Sequence, residues 1–111
     1  REDTAAFAQE LISHGVARII VVARGADGSV MATPEGAWHG VSPPAPVVSK
    51  VGAGDSFVGG FTLALAREEP VEECLRLGVA AASAATMTEA TRLCDPDLTS
   101  QQLRDCLISK L

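Results

Sequence analysis

The sequence predicts an α/β layer architecture, and three observations carry that prediction. The short apolar run Ile19-Ile20-Val21-Val22 is rich in β-branched residues and reads as a buried strand. Ser29–Thr33 and Ala37–Val41 read as a hairpin around Pro34-Glu35-Gly36. Helical spacing of apolar residues precedes these strands and fills the last third of the chain, and helices and strands in that order imply such layers.

In chain order, residues 4–14 place Ala5, Phe7, Ala8, Leu11 and Ile12 at helical spacing, with Thr4 as N-cap and Gly15 as stop. The run at 19–22 fits a parallel strand covered on both faces. Arg24-Gly25-Ala26-Asp27-Gly28 is a turn into the hairpin. Pro43, Pro44 and Pro46 make an extended connection into Val47-Val48. Gly52-Ala53-Gly54 opens a helix running from Asp55 to Arg67, which Glu69-Pro70 ends. A second helix runs from Val71 roughly to Thr88. Residues 97–110 form a final amphipathic helix with Leu98, Leu103, Leu107 and Ile108 on its apolar side.

At 111 residues the chain suffices for one domain with a core and is too short for two. Hydrophobic residues make up 47% but aromatic ones only 4%, so that core is built from Val, Leu, Ile and Ala. A net charge of −5 argues against nucleic acid or an acidic membrane as partner and leaves a phosphorylated ligand open. No apolar run approaches the roughly 18–20 residues of a membrane span. Arg1-Glu2-Asp3 without a following apolar stretch is no signal peptide, so a cytoplasmic protein is expected. Cys74, Cys94 and Cys106 are odd in number and far apart, which argues against a disulfide framework or a zinc cluster and favours reduced, mostly buried thiols. His14 and His39 read as surface or cap residues.

Residues 51–61, Val-Gly-Ala-Gly-Asp-Ser-Phe-Val-Gly-Gly-Phe, carry the chemistry. Gly52, Ala53 and Gly54 let backbone N–H groups approach a ligand, and the helix behind them adds its positive end, which together suit a phosphate. The same pattern is also that of a capped helix start, with Asp55 as the cap. It is neither a Walker A loop nor a dinucleotide fingerprint. Gly78, Ala80, Ala81, Ala82, Ser83, Ala84 and Ala85 make a helix that another surface can approach closely, whether a neighbouring element or a flat ring.

The 51–61 block resembles the C-terminal signature of the ribokinase-like sugar kinases, also called the phosphofructokinase-B family. Leu77-Gly78-Val79-Ala80-Ala81-Ala82-Ser83-Ala84-Ala85-Thr86 and the following Thr91-Arg92-Leu93-Cys94 are similar to the branch of minor bacterial 6-phosphofructokinases and tagatose-6-phosphate kinases. The likeness covers residues 5–111. It implies a ribokinase-like three-layer α/β/α fold, of which residues 1–111 are the C-terminal portion. It further implies ATP-dependent phosphorylation of a phosphosugar, with magnesium, in a full-length protein that is a homo-oligomer.

The resemblance assigns Asp55 as catalytic base and Gly52, Ala53 and Gly54 as the anion hole. It brings the backbone of Arg24, Gly25, Ala26, Asp27 and Gly28, and the side chains of Val79 and Ser83, against the nucleotide. Ala23 stands where the family often has a hydroxyl residue. A monovalent cation, usually potassium, would be held by Ser49, Val51, Ala85, Thr88, Ala90 and Arg92, mostly through carbonyls. Lys50 departs from the family's Thr, and its charge suits that cation only if it points away. The sugar-contacting residues, the lid and the residues near magnesium would lie outside this chain. The segment alone is then expected to be inactive; the alternative is a non-catalytic module that binds nucleotide or self-associates.

Overall fold

A computed structural model describes residues 2–43, 47, 52–87 and 96–111. The chain divides into two compact units, Arg1–Val41 with Ile108–Leu111, and Ser42–Leu107.

The first unit is a helix on a sheet. Helix α1 spans Glu2–Ser13, and the strands are β1 (Ile20–Ala23), β2 (Ser29–Thr33), β3 (Gly36–Val41) and β4 (Leu107–Lys110), in sheet order β1-β2-β3-β4. Gly15, at φ 78, closes α1: its N–H donates to Ile12 O and the Val16 N–H to Leu11 O, which satisfies the last carbonyls of the helix. Pairing of Thr33 with Gly36 leaves the two-residue turn Pro34-Glu35. Alternation places Val30, Ala32, Ala37 and His39 on one face, and Ala5 of α1 seals Val30 and Ala37 there. Met31 and Trp38 are buried on the other face.

Two expectations are corrected here. The run at 19–22 is not a parallel strand covered on both sides: β1 pairs antiparallel with β2, Ile20–Val22 are half-buried and Ala23 is exposed. The five-residue connection through Arg24–Gly28 is the physical reason, because a parallel pairing needs a long crossover. The final helix also ends early. Beyond Asp105 the chain becomes β4, and the Leu111 N–H donates to Ala37 O at 2.8 Å. Leu107 is exposed rather than on an apolar helix side. Backbone pairing at the β3 edge wins over local helical spacing.

The second unit is helical: α2 (Ala53–Ala66), α3 (Val71–Thr86) and α4 (Pro96–Asp105). Helices α2 and α3 lie against each other through Gly60 and Gly78. A Cβ at Gly60 would stand 2.9 Å from Leu77 O, and one at Gly78 would stand 3.1 Å from Phe57 Cζ. Cys74, Leu75, Ala80 and Ala84 are fully buried in α3. Arg76 Nη1 donates to Cys106 O at 2.7 Å and ties the end of α4 to α3. Cys74 and Cys106 are free and buried, as expected of reduced thiols, whereas Cys94 lies outside the described residues. Among the described residues no helix is long and apolar enough to cross a membrane.

Candidate functional site

In the second unit, Gly52 precedes α2 at φ 84 and ψ −4, a left-handed conformation, and is its N-cap. The first bond of the helix runs from Ser56 N–H to Gly52 O at 2.9 Å. The N–H groups of Ala53, Gly54 and Asp55 belong to the first turn and sit at the positive end of the helix. A Cβ built at Gly52 or Gly54 meets nothing within 4 Å, so the space in front of this backbone is open. That open cradle of amides fits a phosphoryl group. Asp55 stands in the first turn and is exposed. Among the described residues its carboxylate has no hydrogen-bond or ion-pair partner.

Val79 and Ser83 occupy successive turns of α3 in the same unit. Val79 is 7% exposed, and the half-buried Ser83 hydroxyl donates to Gln102 Oε1 of α4 at 2.9 Å. Ala85 is also buried in α3. Ser49, Val51, Thr88, Ala90 and Arg92, the other positions assigned to a monovalent cation, lie outside the described residues, as does Lys50. Among the described residues no three His, Cys, Asp or Glu side chains gather as a metal site.

Arg24, Gly25, Ala26, Asp27 and Gly28 belong to the first unit. Gly25–Asp27 form a single 3₁₀ turn between two left-handed glycines, Gly25 at φ 62 and Gly28 at φ 87. The Arg24 N–H donates to Gly28 O at 2.8 Å and the Gly28 N–H to Gly25 O at 3.0 Å, which folds the loop on itself. Gly28 needs to be glycine on two counts, since a Cβ would also run into the Gly40 carbonyl and the His39 ring.

Two residues of these groups escape the sequence reading. His39 is not a surface residue but 4% exposed, and its Nε2 lies 2.6 Å from Asp27 O. Strand alternation from Ala37 was the signal that could have placed it inward. Gln102 is buried on α4, and only the partner Ser83, nineteen residues earlier, explains it.

The pfkB family carbohydrate kinase model matches residues 1–98. The chain is 44% identical over 100 residues to the ATP-dependent 6-phosphofructokinase isozyme 2 of Escherichia coli K12, covering 90% of this chain and 32% of that protein. It is 43% identical over 94 residues to the acarbose 7(IV)-phosphotransferase of Actinoplanes, covering 81% of this chain and 31% of the relative. In three dimensions it matches the crystal structure of Escherichia coli phosphofructokinase-2 in complex with potassium with a TM-score of 0.88 at 43% identity, over 93% of this chain and 33% of the other. The fold class is thus the ribokinase-like α/β one, and the chain spans about a third of the length of these relatives.

Proposed function

This chain belongs to the pfkB family of carbohydrate kinases, and on that premise we propose that it is the C-terminal, nucleotide-binding and base-carrying portion of an ATP-dependent phosphofructokinase-type enzyme. The observation that carries the reading is the exposed Asp55 carboxylate in the first turn of α2, beside the backbone of Ala53 and Gly54 and behind a left-handed Gly52.

Bound ATP supplies the phosphoryl group to be transferred. Phosphoryl transfer asks the protein mainly to position groups and stabilise charge. The amides of Gly52, Ala53 and Gly54 donate to the oxygens of that group and neutralise its charge in the transition state. Asp55 accepts the proton of the attacking sugar hydroxyl, a role suited to an acceptor that the described residues leave unengaged. The Arg24–Gly28 backbone meets the nucleotide, with Gly25 and Gly28 permitting a close approach. Val79 packs against the base, and Ser83 acts there from its bonded position on Gln102. The residues near magnesium would lie outside this chain, and the ion would add neutralising charge on the phosphates. Potassium beside the anion hole is supported by the potassium complex of Escherichia coli phosphofructokinase-2. The full-length protein is a cytoplasmic homo-oligomer with no nucleic-acid or membrane partner.

Fructose 6-phosphate is the substrate we favour, giving fructose 1,6-bisphosphate, as the name of the 44% identical relative suggests. Two relatives of nearly equal identity carry different acceptors in their names, which supports acceptor selection by residues outside this segment. ADP release by the full-length protein, assayed with fructose 6-phosphate, fructose 1-phosphate and tagatose 6-phosphate, tests the proposal. Turnover should be highest with fructose 6-phosphate. Turnover with none of them overturns the kinase reading; preference for another phosphosugar overturns only the substrate.

A further inference from the structure

His39 lies outside every group assigned so far. On β3 it stands opposite Val30, on the face that also carries Ala37, and it is almost wholly buried. Its Nε2 approaches the Asp27 carbonyl oxygen at 2.6 Å. A carbonyl oxygen can only accept, so Nε2 bears the hydrogen and donates it. The other bonds of the loop are internal to it: Arg24 N–H to Gly28 O, Asp27 N–H to Arg24 O, and Gly28 N–H to Gly25 O. Two glycines with positive φ give this short segment many alternative backbone paths. A bond from a buried side chain on a neighbouring strand selects one of them. Gly28 is also fitted against the same ring, where a Cβ would stand 2.9 Å from His39 Nε2.

We propose that His39 is a positioning residue that fixes the Arg24–Gly28 backbone in the conformation that receives the nucleotide. The proposal rests on the reading that this loop contacts ATP. His39 itself touches neither nucleotide nor sugar; it acts through the Asp27 carbonyl.

The test uses the full-length protein with two variants, H39L, which fills the site without a donor, and H39Q, whose side-chain amide can reach the same carbonyl. Amide hydrogen exchange over residues 24–28 reads the loop, and steady-state kinetics read its consequence. H39L should exchange faster in the loop and raise KM for ATP about three- to tenfold, the worth of one buried hydrogen bond. Its kcat and its KM for the phosphosugar should stay within about twofold, because the base and acceptor site are untouched. H39Q should restore both readouts. An unchanged KM for ATP in H39L overturns the proposal, as does a uniform loss of kcat with both KM values, or an H39Q no better than H39L. Failure of the unmutated protein to bind or use ATP would instead remove the reading beneath it, and is seen before any variant is made.

Discussion

Gly52 is glycine for its backbone rather than for want of room. A Cβ there would meet nothing, yet φ 84 is a region where an L side chain costs about 1–2 kcal/mol. Gly52→Ala should therefore lower unfolding free energy by about 1 kcal/mol, whereas Gly54→Ala, in equally open space inside the helix, should be neutral or slightly stabilising; urea denaturation distinguishes the two. Cys106 makes a second prediction at this scale. Burial pushes its thiol up from 9.0 to about 11, with Asp105 adding to the shift and Arg76 opposing it. The folded state thus favours the neutral thiol. Its contribution is fully present below about pH 9 and is lost as pH rises through about 11. Between about pH 8 and 10.5 the protein should lose about 2 kcal/mol more than Cys106→Ala does. Equal losses in denaturation curves of the two proteins would show that this thiol is not held neutral by the fold.

At the scale of elements, the α2–α3 contact is set by two glycines. Gly60→Ala drives a methyl against the Leu77 carbonyl, which is backbone and cannot yield, and should cost about 1–3 kcal/mol in thermal or chemical unfolding. Unchanged stability would mean that the helices are not in close contact there. The boundaries of α2 and α3 and the 29–41 hairpin are legible in the sequence because their signals are local: the glycine loop, Pro70, and two turn residues between alternating segments. The geometry of Gly52–Asp55 is legible for the same reason. What is not legible depends on distant partners. Leu107 and Ile108 continue a helical spacing, and only the β3 edge some seventy residues earlier makes them a strand. The apolar run of β1 reads equally as a central strand until its tight connection to β2 is considered. His39 and Gln102 were hidden by residue type, since polar side chains are presumed outside until a buried partner is found for them.

For the whole molecule, α2 is mostly apolar beyond its first turn, yet Val58 is 63% exposed and Leu63 47%. A helix of that composition is ordinarily covered on all sides. The chain amounts to a third of its relatives' length, which gives this exposure a context. The 111 residues alone should accordingly self-associate in light scattering and show no phosphoryl transfer; a monomer with turnover would contradict that expectation. For the proposed transfer of the sugar's proton to Asp55, the decisive substitution is Asp55→Asn in the full-length protein. Its kcat should fall by about 10²- to 10⁴-fold with KM for ATP nearly unchanged. An Asp55→Asn enzyme as active as its parent would contradict that transfer.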